Sequence, residues 1–201
     1  MDRQHDGSDV PVSTPTPRGR DEIRTAALDA AERLLRANPP DSVSMRAIAE
    51  EANITYSLLN RHLGTKQAIV DAMLARFEDR WRVRAAGADL AGALGMMMGD
   101  DPDAGTFLRL LAWSILSGDA DLSTYRRHSA MHELLPLVDE AGGEASGEGP
   151  DAETVVAAGM AMIYGWRFFN PFITRMLDLE GADVERLHTE MGRILRERAT
   201  G

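Results

Sequence analysis

The chain has 201 residues, 44% of them hydrophobic, with 22 Lys+Arg against 32 Asp+Glu, a formal net charge of −10 and no cysteine. That apolar share over this length is enough for a buried core, and the missing cysteine excludes disulfides, thiolate metal sites and cysteine nucleophiles together. The first twenty residues are polar and Pro-rich, with no apolar secretory segment, and no run approaches the roughly 20 apolar residues that span a bilayer. A soluble, cytoplasmic protein is expected. The acidity is uneven: through Lys66 there are 9 Lys+Arg against 10 Asp+Glu, and beyond it 13 against 22. The overall negative charge argues against a polyanionic partner, but the first third is close to neutral.

In chain order, residues 1–19 carry Pro11, Pro15 and Pro17 among Ser, Thr, Gly and charges, a composition that cannot offset its ordering entropy by burial and is read as a mobile arm. From Asp21 the spacing of Ile23, Ala27, Ala30 and Leu34 predicts a helix, stopped by "ANPPD" at 37–41. A second, short helix follows Ser44, whose hydroxyl is placed to cap it, with Met45, Ile48, Ala49 and Ala52 on one face. Asn53 tolerates the left-handed conformation that ends a helix. Thr55 can cap a third helix whose Leu58, Leu59 and Leu63 pack back on the first two. Helix, tight turn and capped helix in this order are helix-turn-helix grammar. A long helix then starts near Lys66, the only lysine in the chain, with the stripe Ile69, Met73, Phe77 and Trp81. Further helices are expected at about 88–99, 104–117, 121–141, 151–177 and 183–198, separated by polar and Gly-rich breaks. No alternation suggests a sheet, so the fold is expected to be all-α.

Three stretches, "AALDAAERLL", "SMRAIAEEANIT" and "RHLGTKQAIV", occur in order over residues 21–72 and together resemble the DNA-binding domain of the tetracycline-repressor (TetR) family. After the disordered arm read at 1–19, the resemblance implies a three-helix helix-turn-helix DNA-binding domain at 20–66 and a larger helical ligand-binding and dimerisation domain at 67–201. It also implies that Lys66, at the start of the fourth helix, meets a DNA phosphate together with helix-terminal amides. Thr55, Tyr56, Ser57, Asn60, Arg61 and His62 fall on or beside the recognition helix. Arg61 suits a phosphate or a guanine and Asn60 an adenine, while Ser44 and Arg46 are placed to touch the backbone from the second helix. Bland readings stand beside these: Ser44 and Thr55 as caps only, His62 as a packed histidine. Where many relatives carry Tyr and Gly, this chain has Asn60 and Ser57, so its operator contacts are its own. Arg18, Arg20 and Arg24 either lean the arm on phosphate or a minor groove or belong to an ordinary polar tail.

The rest of the chain shows no such motif. Ala157, Ala161 and Gly165 form a small-residue stripe, and Val184, Leu187, Met191, Ile194 and Leu195 an apolar face on the last helix. Under the resemblance these two helices make a homodimer interface, a four-helix bundle across a two-fold axis; the alternative buries both faces within one subunit. Met97, Phe107, Leu111, Trp113, Trp166 and Phe169, among other Met and aromatic residues, are candidates to line a pocket for an apolar or aromatic effector, with plain core as the bland reading for most. His128 and His132 stand four apart, but with no third ligand they are read as surface histidines and no metal is expected. No cofactor is expected either. The expected function is a ligand-responsive transcriptional regulator, a repressor binding a palindromic double-stranded DNA operator as a homodimer and released by a small effector. A catalytic constellation is missing, so an enzyme is not expected. The remaining alternative is a small-molecule-binding helical protein that has lost specific DNA binding.

Overall fold

Nothing in the first helix resembles a bulky core: Ala27, Ala30 and Ala31 are fully buried alongside Ile23 and Leu35, and small side chains let neighbouring helices approach closely. In the computed structural model, which describes residues 17, 19–99, 101–118, 130–142 and 151–200, with the side chains of 196 and 198–200 excepted, these alanines lie on α1 (Arg20–Ala37). Packed on it are α2 (Met45–Glu51) and α3 (Tyr56–Leu63). Helices of seven and eight residues are too short to persist alone in water, so α2 and α3 depend on Ile48, Ala49, Leu59 and Leu63, all buried. Each such Leu or Ile is worth about 1.5–3 kcal/mol, more than the roughly 1 kcal/mol of a helix cap. Burial therefore decides that these helices exist, and caps decide where they begin.

Among the described residues there are nine α-helices and no strand, as expected. The chain divides into two compact units, Met1–Lys66 and Gln67–Gly201. Beyond α4 (Lys66–Ala85), the second unit contains α5 (Leu90–Met98), α6 (Pro102–Ser117), a 3-10 turn (Ala130–Glu133), α7 (Leu134–Gly142), α8 (Ala152–Met176) and α9 (Gly181–Thr200). Along α4 the expected stripe of Ile69, Met73 and Phe77 is buried, and so are Val70 and Leu74, a second strip the four-residue spacing did not reveal. Helix α6 starts two residues before the expected position because Asp101 caps it, accepting from Asp103 N at 2.9 Å, with Pro102 at its first position. Of the helix expected at 121–141, the described part is the 3-10 turn and α7; residues 121–129, most of the N-terminal arm with Arg18, and His128 lie outside the described residues.

The second unit's core combines Ala93 of α5, Leu134 and Val138 of α7 and Val156 and Met160 of α8, next to a cluster of Leu94, Ile163 and Leu195. Helices α8 and α9 approach most tightly at Gly159, where a Cβ would stand 3.0 Å from Leu195 Cδ2. Pro171 sits inside α8 without ending it. Its ring removes the N–H that would serve the Arg167 carbonyl, and the Asn170 side-chain amide donates to that oxygen instead, at 3.2 Å.

Candidate nucleic-acid interface

The turn between α2 and α3 is built from local chemistry. Ser44 Oγ accepts from Ala47 N at 3.1 Å and Thr55 Oγ1 from Leu58 N at 3.2 Å, so both expected caps are formed. Asn53 has φ +53°, the left-handed conformation anticipated for it, and Ile54 N then bonds back to Ala49 O at 3.0 Å. With Leu59 and Leu63 turned inward, α3 leaves Tyr56, Ser57, Asn60 and Arg61 exposed on its outer side, beside exposed Thr55, Ser44 and Arg46. His62 is half-buried. Gly64 closes α3 at φ +77° and ψ −128°, a conformation that only glycine adopts readily.

Lys66 follows two residues later. Its ammonium is half-buried and donates to the Pro40 carbonyl at 2.5 Å, pinning the start of α4 to the 3-10 turn Pro40–Ser42. Burial holds the ammonium below its ordinary pKa, partly offset by the Asp41 carboxylate. This partner was not legible in the sequence: "ANPPD" read only as a helix stop, and the two residues lie 26 positions apart, beyond any helical period.

In the second unit a cavity of about 70 Å³ opens between α4, α5, α6, the 3-10 turn and α8. Met97 and Phe107 line it as expected. Leu111, Trp113, Trp166 and Phe169 do not. Trp166 Nε1 instead donates to His188 Nε2 at 2.7 Å, with the rings edge to face at 5.5 Å, tying α8 to α9. Phe169 is 54% exposed and stacks edge to face on Phe168. The walls that composition missed are Phe77, Glu78 and Trp81 of α4 and Tyr164 and Arg167 of α8; Phe77 and Trp81 had read as an ordinary core stripe.

Electrostatics in this cavity are unequal. Arg84 meets Asp101 at 2.6 Å and Asp103 at 3.3 Å, and Arg80 meets Asp103 at 3.0 Å. Arg167 donates to the carbonyls of Met97 and Gly99 at the end of α5, where a cation also suits the helix dipole. Burial pushes the Glu78 carboxyl up to about 7, Arg82 pulling it down and Asp79 pushing it up. Burial, with Glu78 nearby, also raises the Tyr164 hydroxyl, against Arg167. Trp81 Nε1 is buried and donates to no acceptor among the described residues.

Of the residues assigned to a dimer face, Ala157 and Ala161 are exposed on α8, and a Cβ at Gly165 would meet nothing within 4 Å. On α9, Ile194 is exposed and Leu187 half-buried, whereas Met191 is only 5% exposed and belongs to the core of its own unit. The resemblance assigned Met191 to an interface with a second copy; within this chain its side chain is buried. No group of three or more potential metal ligands occurs among the described residues, and no described helix is long and apolar enough to cross a membrane.

A three-helix unit with a capped helix-turn-helix and an exposed third helix defines a helix-turn-helix regulator. The model for bacterial regulatory proteins of the tetR family matches residues 27–73. The HTH-type transcriptional repressor Rv3405c of Mycobacterium tuberculosis H37Rv is 30% identical over 160 residues, covering 78% of each chain, as is the HTH-type transcriptional regulator Mb3439c of Mycobacterium bovis. Among solved structures, a TetR-family transcriptional regulator from Rhodococcus sp. aligns with TM-score 0.67 at 17% identity, over 90% of this chain and 100% of that one. Salmonella enterica GusR aligns with TM-score 0.59 at 18% identity, over 94% and 96%. The chain therefore belongs to the tetR family: it is a DNA-binding transcriptional regulator and not an enzyme.

Proposed function

We propose that the protein is a cytoplasmic, ligand-responsive repressor that binds a palindromic operator as a homodimer and leaves it when a small apolar or aromatic effector binds. Residues 20–66 form the DNA-binding domain and 67–201 the ligand-binding and dimerisation domain. The observation that carries this reading is the outer side of α3, where Tyr56, Ser57, Asn60 and Arg61 are exposed above buried Leu59 and Leu63, in a chain of a DNA-binding family. Arg61 and Asn60 read base edges. Ser44, Arg46, Thr55, His62 and Lys66 position the helix on the phosphates.

Two features support the dimer. A protein with one short recognition helix binds DNA too weakly to select a site. On α8, Ala157, Ala161 and Gly165 continue into the exposed Phe168, Phe172 and Met176 at three- and four-residue spacing, so one face of that helix presents apolar surface. The cavity lined by Met97, Phe107, Phe77, Trp81 and Tyr164 is the effector site. Helix α4 begins at Lys66 and carries Phe77, Glu78 and Trp81; an effector that favours a different placement of α4 shifts the population away from the state whose two heads fit successive major grooves, about 34 Å apart. The repressor named among the relatives supports the sign of regulation.

Selection of the purified protein against a random duplex library tests the proposal. Enrichment of a two-fold symmetric sequence with half-sites one helical turn apart is expected. If no duplex is enriched even at low salt, the chain is instead a small-molecule-binding protein that has lost specific DNA binding.

A further inference from the structure

Among the described residues, five charged side chains line the cavity. Arg84 and Arg167 line it, but both are engaged, the first by Asp101 and Asp103 and the second by two carbonyls of the α5 end. Asp101 caps α6 and Asp103 holds Arg80 as well as Arg84. Arg82, one turn along α4 from Glu78, is paired with Asp79 at 2.6 Å and Glu133 at 3.4 Å. Glu78 is the acid that remains. It lines the cavity, is half-buried, and no described residue donates a hydrogen bond or forms an ion pair with it. With Glu78 ionised, two arginines against three acids also leave the lining one negative charge in excess.

Phe77, Trp81, Phe107 and Tyr164 line the same cavity as Glu78, the Phe77 ring already carrying the Arg80 guanidinium 4.7 Å from its centroid and the rings of Phe107 and Tyr164 standing 6.2 Å apart. Aromatic faces attract a cation, most strongly where water is excluded. The wider field has the same sign, since the chain beyond Lys66 carries 13 Lys+Arg against 22 Asp+Glu. A carboxylic acid ligand would meet Glu78 and find both arginines occupied. A neutral ligand would bury Glu78 unpaired, which is costly.

From this cluster we propose that the effector is an organic cation, a protonated amine on a body of about one aromatic ring, whose ammonium pairs with Glu78 while its ring packs among Phe77, Trp81, Phe107 and Tyr164. The inference rests on the cavity being the effector site. The size agrees: about 70 Å³ holds roughly five water-sized positions, enough for one ring with a short side chain. Trp81 Nε1, buried without an acceptor, adds room for one hydrogen-bond acceptor on the ligand.

The test uses the full-length protein and three probes that share a phenylethyl body, 2-phenylethylamine, 2-phenylethanol and 3-phenylpropionate, titrated by calorimetry at pH 7.5 while the Trp81 indole N–H resonance reports where they bind. The amine is expected to bind about tenfold more tightly than the alcohol, and the carboxylate most weakly. In Glu78→Gln the amine should lose its advantage over the alcohol, and the alcohol, binding no more weakly than to the wild type once the unpaired charge is gone, shows that the variant is folded. An alcohol that matches the amine in the wild type, or an amine preference that survives Glu78→Gln, overturns the proposal. If no probe moves the Trp81 resonance, the cavity is not a ligand site and the inference falls with it. If the amine binds selectively there but does not release the selected operator, the cation inference stands and the effector reading fails.

Discussion

Lys66 places two demands on one ammonium: it holds the Pro40 carbonyl inside the first unit, and it lies at the start of α4, where the proposed operator phosphate is met. Lys66→Ala should lower stability by about 1 kcal/mol through the lost hydrogen bond, visible as a small drop in Tm. It should also weaken all duplexes alike. Arg61→Ala should instead relax preference at one position in each half-site, by about 1–3 kcal/mol, with little change in fold. Glu78 gives a pH-dependent prediction. Its carboxyl is pushed from the ordinary 4.5 to about 7 in the folded chain, so the folded chain holds that proton more tightly than the unfolded one does. The stability it contributes is fully present below about 4.5 and is lost as the pH rises through 7. Glu78→Gln removes that loss: urea unfolding should show it more stable than wild type by about 1 kcal/mol at pH 8, the figure being discounted for a carboxyl still partly in water, and nearly equal to it at pH 4.

At the scale of elements, the helix-turn-helix is where local chemistry and burial agree. Ser44→Ala and Thr55→Ala should each cost about 1 kcal/mol in thermal unfolding, the ordinary worth of a cap. Gly64→Ala, at φ +77° and ψ −128°, should cost about 1–3 kcal/mol because that backbone conformation is strained for any residue with a Cβ. The two caps and the left-handed Asn53 were legible in the sequence because such features are set by residues within four positions of one another. The cavity was legible only in outline. Met97 and Phe107 were found, but Trp166 turns to His188, Phe169 to the surface, and the α4 residues that complete the walls follow the same four-residue spacing as any core stripe. Helical period tells that a face is buried, not whether its neighbour is a side chain or a void. The Lys66–Pro40 bond was hidden for the same reason: it depends on how distant segments fold together.

At the scale of the whole molecule, the exposed apolar face of α8 and the single recognition helix point to the same assembly. Phe172, 63% exposed, lies on that face, so Phe172→Glu should leave the protein monomeric in sedimentation where the proposed dimer is expected of the wild type, and reduce operator affinity by more than about tenfold. Met191, drawn inward, should instead affect folding when truncated and leave the association state unchanged. The most direct test of DNA binding by these residues is the salt dependence of binding to the selected operator, measured for the wild type and Lys66→Ala. With one Lys66 phosphate contact in each of two heads, the plot of log affinity against log salt should be steep for the wild type and shallower by about 1.8 in the variant, at roughly 0.9 per phosphate. An affinity indifferent to salt, or a slope that Lys66→Ala leaves unchanged, would contradict it.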